Sequence, residues 1–517
     1  PNNKISKLCN LKTNTTYNID QKNSANSNIF SLSNKKNEEK FNQIDVLNHR
    51  HIENKFVDFN KERLVPQMFS NEGPAITSSD LNNDNVPDFF IGSSKNHISS
   101  LFMSSGLSYK KIETPFNLNK KSEDTDAVFF DSDNDGDDDL YVSSGGKSFS
   151  RYDSNLNDRL YVNEGNGKFK LSKSSFLFDK PFSTGAVAVG DFNNDSLNDV
   201  FVAERYDVDS YGVPVSGRLY KNLGKNKFQN IKIKSFENIG LITSAKWVDI
   251  NSDNNLDLVV TGEWMSIKVF INIDGDFIDK TKDYGLDKSN GLWNDIEVVD
   301  IDDDGDFDII AANFGENNFY KPNMKMFVND FDSNGFKEQI ICYEIGGKNY
   351  PILDKDELIA QLPAIKKKIV YYKDYSILSI DQIFENETIE TSEVLNLNTL
   401  QSSIFINDKG KFKRISLPPE INYSTMYDIE IVEKNKRGVK IVMGGNQYNI
   451  KPQFGRQDAS KGYSLSIEIS NDSISYSNLE SLNIDGQIRK FEIFNLKDIK
   501  AVAVGINNEK TKFFEYK

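Results

Sequence analysis

Short apolar runs come in pairs along this chain, each pair flanking an acidic nonapeptide. Val128-Phe129-Phe130 precedes one such stretch and Leu140-Tyr141-Val142 follows it; Ala186-Val187-Ala188-Val189 and Val200-Phe201-Val202 flank another; Ile296-Glu297-Val298-Val299 and Ile309-Ile310-Ala311-Ala312 flank a third. Runs of this length, rich in β-branched and aromatic residues and bounded by turn formers, predict strands. Two further strands follow in several copies. Arg159-Leu-Tyr-Val-Asn-Glu-Gly-Asn-Gly-Lys-Phe169, Arg218-Leu-Tyr-Lys-Asn-Leu-Gly-Lys-Asn-Lys-Phe228 and Lys268-Val-Phe-Ile-Asn-Ile-Asp-Gly-Asp-Phe277 each read as strand, tight turn, strand. Four strands recurring every 50 to 60 residues predict the blades of a β-propeller.

The polar stretches between the paired runs are the second signal. Asp131-Ser-Asp133-Asn-Asp135-Gly-Asp137-Asp-Asp139 carries an acid at every second residue. That many like charges in one loop call for a cation, and calcium takes six to eight hard oxygen ligands. Gly136 stands where such a loop bends sharply and needs positive φ. The frame recurs as Asp80, Asn82, Asp84, Asp88; Asp191, Asn193, Asp195, Asp199; Asp249, Asn251, Asp253, Asp257; Asp300, Asp302, Asp304, Asp306, Asp308; and, more loosely, Asp330, Asp332, Asn334, Glu338. It is not an EF-hand, whose twelve-residue loop ends in Glu between helices. Up to six calcium ions are expected. In a seventh repeat, Lys434, Lys436 and Lys440 stand where acids are expected, and an ammonium has no lone pair to offer, so no metal is expected there.

On these repeats, and on His51-Ile-Glu-Asn-Lys-Phe-Val-Asp-Phe59, Gly262-Glu-Trp264, Gly347-Lys-Asn-Tyr-Pro351 and Gly444-Gly-Asn446, the chain resembles the FG-GAP/VCBS repeat proteins. More narrowly it resembles the bacterial type that joins such repeats to an ASPIC/UnbV domain, relatives of cartilage acidic protein and of integrin α propellers. The resemblance implies an all-β propeller of seven, alternatively eight, four-stranded blades over residues 51–517. It further implies that 1–20 is the tail of an ASPIC/UnbV-like domain and the chain a C-terminal fragment. Residues 21–50 are polar and read as a linker. Phe56-Val-Asp-Phe59 is expected to be the strand that completes the C-terminal blade. Helical spacing and Pro363 between two of its pieces mark an insertion at 352–385, between the sixth and seventh repeats; Lys366-Lys367-Lys368 reads as a solvated helix face.

Composition narrows the function. The chain has 517 residues and a net charge of −15, which argues against a nucleic-acid partner. Two cysteines, Cys9 and Cys342, exclude a disulfide framework. No run is apolar and long enough to span a membrane. Three histidines and the absence of a G-x-S-x-G or H-E-x-x-H pattern leave no catalytic constellation, and Gly145-Gly-Lys-Ser148 lacks the first glycine of a P-loop. If the acidic loops join the first and second strands of each blade, the second-to-third connections emerge on the opposite face. These carry Arg151, Tyr152, Arg205, Tyr206, Tyr211, Trp264, Phe319, Tyr320, Tyr448 and Arg456, residue types that anchor binding sites. The expectation is an extracellular, cell-surface or outer-membrane-associated module that binds a glycan or protein. The alternatives are a glycan lyase or hydrolase acting on that same face, and a structural spacer.

Overall fold

A computed structural model describes residues 4–5, 25–26, 41–106, 108–172, 180–470 and 473–516. Seven antiparallel sheets follow one another, each led by an inner strand: Ile76–Ser79, Asp124–Phe130, Ser183–Gly190, Leu241–Val248, Asp295–Val299, Met426–Asn435 and Gln487–Leu496. Each inner strand packs on the next, and the last on the first, so the ring closes as a seven-bladed β-propeller.

Polar side chains latch neighbouring blades near the axis. The Asp126, Asp295 and Asp428 carboxylates accept the backbone N–H of Val187, Ile429 and Phe491 at 3.3, 3.1 and 2.6 Å, each on another blade's inner strand. Glu492 takes the N–H of Ser78 at 2.9 Å and so joins the last blade to the first. Elsewhere the blades are glued by apolar faces, as where Phe130, Tyr141 and Leu160 meet Val200, Val202 and Tyr220.

Ring closure differs in place from the sequence expectation. The strand that completes the last blade is Phe41–Ile44, paired with Lys512–Tyr516, and it lies inside the stretch read as a linker. Its Phe41 ring stacks on Tyr516 at 5.1 Å. Phe56 to Phe59 is no strand; Asp58–Asn60 is a turn of 3-10 helix. A spacing of three between the two aromatics suits a turn and breaks the alternation that a strand requires. The expected remnant domain at 1–20 and residues 21–40 of the linker lie outside the described residues, save the pairing of Lys4–Ile5 with Ala25–Asn26.

The insertion is also larger than expected. The second strand of the fifth blade, Asp308–Ala312, pairs with its third strand only at Ser403–Asn407. Residues 313–402 between them form a separate four-stranded sheet, ordered Lys348–Pro351, Glu338–Ile345, Lys325–Asn329, Glu393–Asn396. Five short helices between Lys355 and Glu390 cover it, burying Leu358, Leu362, Ile365 and Ile380 against Phe327, Ile340 and Cys342. The sixth acidic loop therefore opens this inserted sheet and is not part of an eighth blade.

Candidate metal loops and the opposite face

Five acidic loops join the inner and second strands of the first five blades, and the sixth joins Lys325–Asn329 to Glu338–Ile345. All six fold alike. The first carboxylate turns inward and accepts backbone N–H groups from positions four to six; Asp191, for instance, takes Asp195 N at 3.0 Å and Ser196 N at 2.7 Å. Asp80, Asp131, Asp249, Asp300 and Asp330 do the same. Positions four and six both take left-handed backbone. Position six is Gly136, Gly305 or Gly335 in three loops and Asn85, Ser196 or Asn254 in the others. Glycine and asparagine are residue types that tolerate positive φ, and Ser196 is held there by its loop.

The acid at position nine does a different job. Asp88, Asp139, Asp199, Asp257, Asp308 and Glu338 are all buried. One oxygen accepts the N–H of position two; in the five propeller loops the other accepts an N–H of the third strand, as with Asp257 and Asn272 N at 2.8 Å. Burial pushes these carboxyls up, to about 6 at Asp88, Asp139 and Asp257 and about 7 at Asp199, Asp308 and Glu338.

A partner of these acids escaped the sequence reading. Asn163, Asn222, Asn272 and Asn407 each donate Nδ2 to the carbonyl of position eight and accept a turn glycine's N–H on Oδ1. Asn222 and Asn272 also reach the preceding blade, donating to Ser132 O and Phe192 O at 3.0 and 2.7 Å. The signal was the asparagine repeated before each Gly-containing turn.

Oxygens of these acids, together with those at position three, also suit a hard cation. Carboxylate oxygens of Asp131, Asp133 and Asp139 lie within 4.8 Å of one another, as do those of Asp300, Asp302 and Asp304, and of Asp330, Asp332 and Glu338. Asp133 Oδ1 and Asp332 Oδ1 are shielded from water with no hydrogen-bond partner. Burial, then the neighbouring loop carboxylates, holds Asp133 and Asp302 above the usual carboxylate range. Orphaned oxygens and crowded like charge are what a divalent ion relieves, so the residues fit calcium. Asn82, Asn193 and Asn251 offer neutral oxygens at position three and Asn334 at position five, and Asp84, Asp135, Asp195, Asp253, Asp137 and Asp306 complete the loops. Two lysines already lend positive charge, Lys221 to Asp195 at 3.1 Å and Lys434 to Asp300 at 3.7 Å.

The opposite face corrects the expected ligand set. Arg205, Tyr206, Tyr211, Trp264 and Tyr320 are buried. The aromatics pack with Val65, Phe69, Phe314, Met326 and Ile341 in one core roofed by the 59–69 segment and the inserted sheet. Arg205 sits between Glu72 and Glu263, at 3.2 Å from each, and Tyr211 donates to Glu263 at 2.6 Å. These residues hold the roof on, because long loops with large apolar side chains bury them once a covering segment is available. Lys147 of the P-loop-like stretch is likewise buried and paired with Glu62. Arg151 is half-buried on Asp207 at 2.8 Å, while Tyr152, Tyr448 and Arg456 keep exposed surface.

A model of the FG-GAP-like repeat matches three overlapping stretches, 149–202, 191–260 and 249–311. The chain carries FG-GAP-like repeats. They contain the third, fourth and fifth acidic loops. Such repeats suit a binding or adhesion-type propeller, and they commonly bind calcium. No curated protein sequence matches the chain. Among solved structures, BBS1N, crystallised in complex with ARL6DN, is 8% identical, with 87% of this chain and 94% of that one covered at a TM-score of 0.41. Sqt1 of Saccharomyces cerevisiae is 9% identical, with 91% and 99% covered at a TM-score of 0.41. No helix among the described residues is long and apolar enough to cross a membrane.

Proposed function

We propose that this protein is a calcium-stabilised propeller serving as an extracellular or cell-surface binding module, for a glycan or a protein, of the ASPIC/UnbV-associated type. The observation that carries the reading is the orphaned Asp133 Oδ1 inside a cluster of three carboxylates, in a loop geometry repeated six times. The loops' role is to lock hairpins: the first and ninth acids already hold backbone amides, which leaves them unsuited to acid–base turnover. The proposed activity is therefore binding without catalysis, on the face away from the metals.

The test is thermal melting in millimolar calcium and after thorough chelation with EGTA. A ligand that binds only the native state stabilises it by mass action, so chelation should lower the midpoint by several degrees and magnesium should restore little of it. An unchanged midpoint removes calcium from the account.

A further inference from the structure

On the face opposite the acidic loops, a cleft of about 910 Å³ opens between the last two blades and the segment that enters the ring. Its walls are the 447–457 connection of the sixth blade, the 508–511 turn of the seventh, the 482–486 link between them, and residues 50–55. The floor is polar and held in place. Asn507 Nδ2 donates to Glu53 Oε2 and to Gly73 O, both at 2.7 Å, and Gln487 Oε1 accepts Tyr448 N at 2.8 Å and Arg489 Nη2 at 3.0 Å. Asn71, 7% exposed and lining the cleft, has an Oδ1 shielded from water with no partner. An orphaned acceptor that deep marks a place where a donor from outside is wanted.

The wall and rim say what kind of donor. Tyr448 is half-buried, its backbone N–H is held by Gln487, and the Arg456 guanidinium lies 4.7 Å from its ring centre. A fixed tyrosine beside a floor of amides and a carboxyl suits a sugar ring, which offers hydroxyls to planar polar groups and C–H faces to an aromatic. Ile52 and Ile506 are the aliphatic residues of the lining, which offers little to the apolar anchors of a peptide. The rim is cationic. Asp485 is paired with Lys461, and Glu509 with Arg50 at 3.1 Å. Lys55, Lys510 and Lys512, which also line the cleft, have no acid within ion-pair distance among the described residues. Burial pushes the Glu53 carboxyl upward, which lessens the negative charge at the floor.

We propose that this cleft binds an acidic oligosaccharide, one bearing uronate or sulfate groups, with Tyr448 stacking on a ring, Asn71 accepting from a hydroxyl, and Lys510 and Lys512 meeting the anionic group. The assignment rests on the reading of the protein as a binding module and names its ligand class and place.

The experiment is calorimetric titration of the full chain in calcium with oligogalacturonate, with a heparin-derived oligosaccharide, with a neutral oligosaccharide, and with a poly-glutamate peptide. At least one acidic sugar should bind, more weakly as salt rises, with the neutral sugar and the peptide at least tenfold weaker. Tyr448→Ala, and separately Lys510→Glu with Lys512→Glu, should each weaken binding at least tenfold while melting stays within about two degrees of the parent. Acidic-sugar binding that survives both variants but falls in Tyr152→Ala overturns the cleft and leaves the module standing. Equal binding of the peptide overturns the ligand class. No binding by the parent chain overturns this inference alone, because the calcium dependence of melting tests the module's fold independently.

Discussion

At the scale of single residues, the acids of one loop divide between two jobs, and mutation should separate them. Asp199 is buried and accepts Phe192 N and Asn222 N. Asp199→Ala leaves two buried donors unsatisfied, at about 1–3 kcal/mol each before relaxation; melting should fall with calcium and with EGTA alike. Asp133 has an orphaned oxygen and carboxylate neighbours. Asp133→Asn, which keeps an oxygen for the Asn226 Nδ2 that Asp133 accepts at 2.7 Å, should therefore erase much of its loop's share of the calcium-dependent stabilisation while leaving the EGTA midpoint unchanged or higher, because like charges no longer crowd. The same scale revises Trp264. At 1% exposure, in contact with Tyr320 at a ring separation of 5.8 Å, it is core. Trp264→Ala should cost about 3–5 kcal/mol of stability, read by denaturant unfolding, and any loss of ligand binding should track that unfolding.

At the scale of elements, what could be read from the sequence was what is local. The acid spacing, the flanking strands and the left-handed positions are all set within about a dozen residues, so loop and hairpin were legible together. The owner of a hairpin was not. The sixth loop repeats the local pattern, yet its strands join the inserted sheet, because the fifth blade's second strand finds its partner only at Ser403–Asn407. The closing strand was hidden for a related reason: Phe41-Asn-Gln-Ile44 has two apolar residues in a polar stretch, and its partner lies at the other end of the chain. The binding face misled because side-chain type does not report the covering segment; the same composition that marks a hot spot also builds a core under 59–69. The closing strand makes a prediction at this scale. Removing residues 1–45 strips one strand from the last blade and bares the edge of Lys512–Tyr516, with its ring of Tyr516 against Phe41. Unpaired edges invite association, so the truncated chain should melt several degrees lower and show dimers or larger species by size-exclusion chromatography, where the full chain stays in one peak.

Across the whole molecule, the ring is closed by buried and half-buried carboxylates on its inner strands, and that choice makes stability depend on pH. Glu492 illustrates it. Its carboxyl takes Ser78 N at 2.9 Å and Ser78 Oγ at 2.7 Å, joining the last blade to the first. Burial is the main cause that pushes it from an ordinary 4.5 up to about 7, against the opposing pull of Ser78 and Lys490. A raised carboxyl means that the folded state holds a proton the unfolded chain releases. Its contribution is therefore full below about 4.5, falls across the interval to about 7, and is lost above it. Calcium complicates the raw pH profile, since protons compete with the cation at the loops and drive stability the other way. The difference between parent and Glu492→Gln removes that complication, because both chains carry the same loops. Glutamine keeps an oxygen for the two Ser78 donors and cannot ionise. The two proteins should unfold alike at pH 4.5, and the variant should become the more stable one as pH rises, by roughly 1–3 kcal/mol at pH 8. Denaturant unfolding at four pH values in millimolar calcium gives the comparison. A constant offset between the curves would mean that Glu492 is ionised throughout and that the ring is closed by a charged latch; a variant less stable at pH 8 would mean that the charge, not only the acceptor, holds the first blade to the last.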